Sequence, residues 1–549
     1  MRSQADSTPP SDVDVVIVGA GFAGLYMLHR MRGLGLRAHI IERADDVGGT
    51  WYWNRYPGAR CDIESIDYSY SFDEELTRQW RWTERYAAQP EILSYIGHAA
   101  DRLDLRRDIT FRTTVASAHW DDETTAWTLT CDSGAVVRAR YCVMATGCLS
   151  VAKQPDMPGL SDFTGRWFHT GRWPHEPVDF TGRRVAVVGT GSSGIQAIPR
   201  IAAAADYVHV LQRTPNYSMP AQNRPLSAEE FDCAVADYGA RRRICQQSDA
   251  GVPHPPPTQS TFEVTPEERE RRYEEGWQRG GINALSAAFT DFFTDEDANR
   301  LAQEFVRRKI RGIVTDQRTA ELLCPHHHIG TKRTCVDTGY FDTYNRDNVE
   351  LIDVRTQPIE HVTATGVQLT GRHLDADVIV FAIGFDAITG ALADIDIRGV
   401  DGIELHDVWS HGPRTLLGLQ TAGFPNLFMV TGPGSPSVLS NMLVSIEQHV
   451  DWISDCVAHL YSLGLDRIEP TEDAQDRWMD HVADLAADTL YPRATSWYLG
   501  ANIPGKPRTF MPYVAGCGQY RRECEQVVAD GYAGFLLGAP SPVGEGPPA

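Results

Sequence analysis

The 549-residue sequence is short of three things, and each shortage removes a class of function. Its eleven cysteines are scattered and none stands as Cys-x-x-Cys, which argues against a disulfide framework, a thiolate zinc site or a redox dithiol and fits reduced cytoplasmic thiols. No uninterrupted apolar run approaches the roughly 20 residues that cross a bilayer, and residues 1–12 are polar with prolines and no apolar signal core. Positive charge is scarce: 51 Lys and Arg stand against 73 Asp and Glu, net −22, which disfavours nucleic acid and anionic membranes as partners. His326, His327 and His328 do not replace the missing metal ligands. Three consecutive imidazoles cannot readily converge on one tetrahedral ion, and no acid or thiol follows at ligand spacing, so no metal site is expected.

What the chain does have is glycine at two strand-to-helix turns. Val13 to Val18 reads as a buried parallel strand. Gly19, Gly21 and Gly24 follow it and open a helix with Leu25, Leu28 and Met31 at helical spacing. The first glycine permits the tight turn, the second lets backbone approach a pyrophosphate, and the third lets helix and strand pack. A second strand, 38–41, ends at Glu42, 23 residues after Gly19, where a carboxylate can accept from a ribose 2′-hydroxyl. The pattern recurs at Gly189, Thr190, Gly191, Ser192, Ser193, Gly194, Ile195 and Gln196. There the position 23 residues on is Gln212, followed by Arg213 and Thr214. A carboxylate repels a 2′-phosphate, whereas a neutral residue beside Arg accepts one, so the first turn reads as an FAD site and the second as an NADPH site.

Between and after these turns lie less regular stretches. Residues 103–147 look like a β-rich excursion. Residues 226–319 change composition toward charged amphipathic helices, introduced by a proline-rich loop at 251–258. The aromatic run Thr50, Trp51, Tyr52, Trp53 leads into Arg55, Gly58, Arg60 and Asp62, a carboxylate poised near charge. The length suits about three domains.

The segment 163–174, Phe-x-Gly-x-x-x-His169-x-x-x-Trp173-Pro174, resembles the fingerprint of the type I Baeyer–Villiger monooxygenases. The likeness extends in order over 47–62, 212–216, 330–346, 382–386, 428–442 and 496–508, and the Ser-Pro-Ser-Val-Leu-Ser-Asn-Met form at 435–442 is similar to the phenylacetone and steroid enzymes. Ile383 departs from the usual threonine. The resemblance implies an α/β fold of two Rossmann-like three-layer dinucleotide-binding domains with an inserted helical subdomain. The expected division is an FAD domain over 1–148 and 389–549, an NADP domain over 149–222 and 330–388, and the insert over 223–329. It further implies that Thr50, Trp51, Tyr52, Trp53, Tyr68, Val115 and Met442 border the flavin and that Lys332 helps hold the NADP phosphate. Trp497 would lie on the nicotinamide side, and His169 would belong to a hinge rather than to the chemistry. Arg333 would be the active-site cation, oriented by Asp62: a guanidinium is the natural stabiliser of a peroxide anion and of the carbonyl-derived oxygen. The implied reaction is NADPH- and FAD-dependent insertion of one oxygen atom of O2 beside a ketone carbonyl, through a flavin peroxide, by a cytoplasmic monomer or homodimer. Three alternatives compete. A flavin N- or S-oxygenase is disfavoured by Trp173-Pro174, a disulfide reductase by the missing dithiol, and a non-catalytic nucleotide sensor has no use for Arg333 and Asp62.

Overall fold

The computed structural model describes residues 8–538, so residues 1–7 of the polar opening segment lie outside the described residues. The valine-rich run forms the strand Asp12–Val18, parallel to Ala38–Ile41 on one side and to Val136–Met144 on the other. It is apolar on both faces because both are covered: Val15 and Ile17 enter one core, Val16 and Val18 another. The expected β-rich excursion appears as the antiparallel meander Val115–Asp121, Ala126–Cys131 and Val136–Met144. Asp396–Arg398 and Leu427–Met429 return to the same eight-stranded sheet late in the chain.

A second, five-stranded sheet is wholly parallel, in the order Val349–Asp353, Tyr207–Gln212, Arg184–Val188, Val378–Phe381 and Arg166–His169. The segment 163–174, whose His169 is expected to belong to a hinge, is thus partly structural: Arg166–His169 is the edge strand of this sheet. Trp173 is buried against Phe168 and Phe180 in the core beneath it.

The segment between the two halves of this sheet is helical, with helices Ala228–Ala236, Tyr238–Gln247, Pro266–Arg279, Glu296–Ile313 and Gln317–Leu323. It packs in two directions. Tyr273, Trp277, Phe305 and Val306 share a core with Val185 and Val187 of the second sheet and with Ile195 of the helix that follows it. Tyr238–Gln247 instead lies on the first unit: the Tyr238 hydroxyl donates to Ile66 O at 3.0 Å, and the buried Arg242 pairs with the buried Glu447 at 2.7 Å. Among the described residues no helix is long and apolar enough to cross a membrane.

Candidate active site

The glycine turns are built as their chemistry requires. A Cβ on Gly24 would meet Gly19 O at 1.8 Å, and one on Gly194 would meet Gly189 O at 2.4 Å, so the third glycine of each turn is forced by helix–strand contact. Gly19 and Gly189 hold φ of +107° and +109°, a backbone region that L side chains rarely adopt. Gly191 differs: a Cβ there would meet nothing within 4 Å, so the glycine keeps open a space above the backbone. Each turn feeds a helix, Phe22–Gly33 or Ser192–Ala204, with no side-chain cap and no acid in its first turn. Their free N–H groups and positive dipole ends remain available to an anion. Helices elsewhere, such as those capped by Asp73, Thr265 and Asp295, satisfy these donors internally.

In front of the first turn lies a cavity of about 560 Å³. Its wall includes Gly19, Gly21, Glu42, Thr50, Trp51, Trp53, Asp62, Tyr68, Val115 and Met442 from the first unit, Ser192, Gln196 and Arg333 from the second, and Trp497. Glu42 is buried, and its two oxygens accept the N–H of Ala20 at 2.6 Å and of Ala44 at 2.7 Å; burial pushes its carboxyl pKa up. The Trp51 indole donates to the Tyr68 hydroxyl at 3.2 Å, bracing two walls against each other. Tyr52 is a correction. The short helix Thr50–Trp53 turns about 100° per residue, so four successive side chains cannot face one way. Tyr52 is buried but faces away from the cavity, its hydroxyl donating to Asp45 and its ring against His175 and Arg55. Gly24 also lies off the wall, as its packing role demands.

Arg333 and Asp62 stand 271 residues apart in sequence and form a forked pair: Nε donates to Oδ2 at 2.7 Å and Nη2 to Oδ1 at 2.8 Å. Nη1 donates to Val438 O, in the loop that bends before the helix Met442–Leu463. These contacts use three of the five N–H groups, and the Tyr498 hydroxyl lies within hydrogen-bonding reach of the rest. Burial works against the guanidinium charge, but the Asp62 carboxylate outweighs it and the pKa rises, so the cation is permanent. Both residues are held from behind. Asp337 closes the strand Cys335–Asp337 by accepting Gly339 N–H at 3.0 Å, Tyr340 N–H at 2.9 Å and the Ser218 hydroxyl at 2.5 Å. On the Asp62 side, Gly58 lies so near the second unit that a Cβ would meet Gln196 O at 2.3 Å. Gln196 takes the Tyr56 hydroxyl at 2.8 Å and donates to Arg60 O at 3.1 Å. Gln196 therefore works as a seam between the units.

In the second unit the residues divide. Thr190 donates to Thr214 O at 3.1 Å across the carboxyl ends of adjacent strands, and the Ser193 and Thr170 hydroxyls meet at 3.1 Å. Ile195 is the second correction: its side chain is fully buried in the core and its N–H is spent on Gly191 O, leaving nothing for a ligand. Gln212 is buried and donates to Leu322 O at 2.7 Å, so its neutrality rather than its hydrogen bonding bears on the site. Arg213 is exposed and Lys332 half-buried. The Lys332 pKa is lowered by burial and then by the charge of Arg213. Lys153, which the sequence reading missed, is lowered by the same two causes in the same order and donates to Asn502 O at 2.9 Å. Two lysines that each feel the charge of Arg213 make, with it, a place for a multiply charged anion. The Trp497 segment is tied here too, through Asn502 to Phe385 O at 2.8 Å and Lys506 to Asp386.

The family model described as flavin-binding monooxygenase-like matches residues 12–223, the first unit and the start of the second. A Baeyer–Villiger monooxygenase of Pseudooceanicola batsensis is 41% identical over 98% of this chain and 98% of its own. Acetone monooxygenase (methyl acetate-forming) of a Gordonia species is 41% identical over 96% of this chain and 99% of its own. The solved structure of oxidized steroid monooxygenase bound to NADP matches with a TM-score of 0.93 at 51% identity, covering 96% of this chain and 100% of that one. The chain belongs to this family, the Baeyer–Villiger monooxygenases.

Proposed function

We propose that the chain holds FAD on the first unit and NADPH on the second and inserts one atom of O2 beside a ketone carbonyl. The products are an ester or lactone, NADP and water. The observation that carries this reading is the Arg333–Asp62 fork, which brings a permanent cation from the second unit into a cavity walled by the first. A bound flavin supplies the electron and oxygen chemistry. The chain's own groups do the rest. The remaining Nη hydrogens of Arg333 stabilise negative charge on oxygen, and Asp62 with Val438 O holds the guanidinium plane so that no reorientation is needed when charge develops. The uncapped helix ends and the cluster of Arg213, Lys332 and Lys153 supply donors for pyrophosphate and 2′-phosphate.

On the far side of Arg333 a space of about 60 Å³ is walled by Phe292, Phe293, Leu439, Tyr491 and Tyr498. Asn283, Ser286 and Thr334 complete the wall, so aromatic faces, neutral hydrogen-bonding groups and one strong cation meet there, a combination that suits a carbonyl compound. The names of the relatives span acetone and steroids, so the shared feature is the carbonyl and not the body that carries it. The test is oxygen-dependent ester formation by the purified protein, supplied with FAD and NADPH, on linear, aryl, small-ring and polycyclic ketones. Oxidation of amines or sulfides with no ester from any ketone overturns the reading. Gel filtration with light scattering checks the monomeric or homodimeric state that belongs to it.

A further inference from the structure

Beside the edge strand Arg166–His169, outside the cavity described above, lies a cleft of about 280 Å³. Pro155, Trp167, Phe168 and Pro174 give it an apolar side; Lys153, Gln154, His169 and Arg172 give it a polar one. His169 is 4% exposed, and its hydrogen bonding is lopsided. Nδ1 accepts the Gly171 N–H at 2.9 Å, whereas Nε2 is buried with no partner. Burial, and then the charge of Arg172, keeps the ring neutral at ordinary pH by lowering its pKa to about 4. A neutral imidazole whose Nδ1 is an acceptor carries its proton on Nε2. The cleft wall therefore holds a buried N–H donor without an acceptor, a group whose desolvation goes uncompensated until something supplies one. Arg172 is exposed beside it, and Trp167, at 43% exposure, presents an indole to the same space.

We infer that this cleft is a binding site for a small organic anion, a carboxylate on a flat apolar body. The carboxylate takes the His169 Nε2–H and the Arg172 guanidinium, and the body lies on Trp167 and Pro155. The choice of anion follows from the donors, both of which need an acceptor and one of which is charged. The choice of a flat body follows from the indole and proline faces. Occupancy is transmitted along the chain: Thr170, the next residue, bonds the Ser193 hydroxyl at the start of the helix Ser192–Ala204, and Lys153 on the cleft wall holds the Trp497 segment through Asn502. A ligand here braces this edge strand against the nucleotide turn.

Benzoate, with benzyl alcohol as its neutral counterpart, is the probe, titrated calorimetrically into the FAD-loaded protein saturated with NADP so that the phosphate cations are already engaged. Benzoate is expected to bind one site per chain, and benzyl alcohol at least tenfold more weakly. Arg172→Gln, at an exposed position where folding is safe, is expected to weaken benzoate at least tenfold, and His169→Phe to do the same if it folds. In stopped flow, benzoate is expected to change the rate of flavin reduction by NADPH in the parent and not in Arg172→Gln. Equal binding of acid and alcohol, unchanged affinity in Arg172→Gln, or no benzoate binding once NADP is present each overturns the inference. None of these readouts depends on ester formation, so failure of the proposed reaction leaves the test intact.

Discussion

Replacing Arg333 with Ala removes the permanent charge that the second unit brings to the cavity wall beside Val438, and its cost can be built from the structure. Loss of a single neutral oxyanion donor costs about 10²–10³ in rate. Arg333 adds a full charge to its N–H donors, so its loss belongs at or above the upper end, about 4 kcal/mol in the barrier. Arg333→Lys keeps the charge but cannot fork onto both Asp62 oxygens, reach Val438 O and still face the cavity, so an intermediate loss is expected. Asp62→Asn keeps one acceptor but turns an NH2 toward a guanidinium N–H, expected to cost about tenfold. The informative measurement is the cycle. If Asp62 acts only by holding Arg333, the double variant Asp62→Asn/Arg333→Ala loses no more than Arg333→Ala alone. Ester formed per NADPH consumed, with hydrogen peroxide counted separately and bound flavin read from its absorbance, gives each corner of the cycle. Near-parental ester formation by Arg333→Ala, or losses that add across the two sites, refutes the assigned roles.

Arg213→Ala is expected to weaken NADPH about 10- to 100-fold, one charge-assisted hydrogen bond, while barely moving NADH; equal losses for both coenzymes contradict a 2′-phosphate role. Arg242→Met leaves the buried Glu447 carboxylate with Ser71 as its partner but no counter-charge and is expected to cost about 3–5 kcal/mol in urea unfolding, with Arg242→Met/Glu447→Gln, which keeps an acceptor for Ser71, recovering part of it; a single variant as stable as the parent removes the buried pair from the account. Acid should also destabilise the protein. Burial lowers the folded pKa of His169 to about 4 and of His449 to about 3, below the unfolded 6.5, so the unfolded chain takes up protons first as pH falls. The associated stability is complete above about pH 6.5 and declines toward 4 by up to about 1.4 kcal/mol per group per pH unit. Equal urea midpoints at pH 7 and 5 rule this out.

The glycine turns were legible because steric exclusion writes them into the sequence: nothing else fits where a Cβ lies 1.8 Å from a carbonyl oxygen. The parallel centres of both sheets follow from valine-rich runs buried on both faces, and the meander from alternating ones. The Arg333–Asp62 fork was not legible from spacing, since no periodicity links residues 271 apart, and only the resemblance paired them. Tyr52 and Ile195 were misplaced for one reason: a motif marks a stretch of chain, whereas a helical turn sends neighbouring side chains in different directions. Lys153 did leave a trace. The chain has four lysines, Lys153, Lys309, Lys332 and Lys506, and all but Lys309 lie around the Trp497 segment or the cation cluster. In a chain that otherwise uses arginine, a lysine is itself a signal.

The insert shows the limit of composition most clearly. Its charges foretell helices but not what those helices hold, because a paired buried arginine and a solvated one read alike in sequence. Arg241 forks onto the Asp67 carboxylate, and Arg242 donates to both Glu447 and Asp67 O. Asp67 O also accepts from Asn441 at 2.8 Å, and Asn441 caps the helix that begins with Met442. Asp67 precedes Tyr68, so one carbonyl ties the two residues next to Tyr68 and Met442, both on the cavity wall, to a helix of the insert. The Tyr238–Gln247 helix is therefore a support for the cavity itself, and a charge change at Arg242 should loosen Tyr68 and Met442 before it is felt anywhere in the second unit.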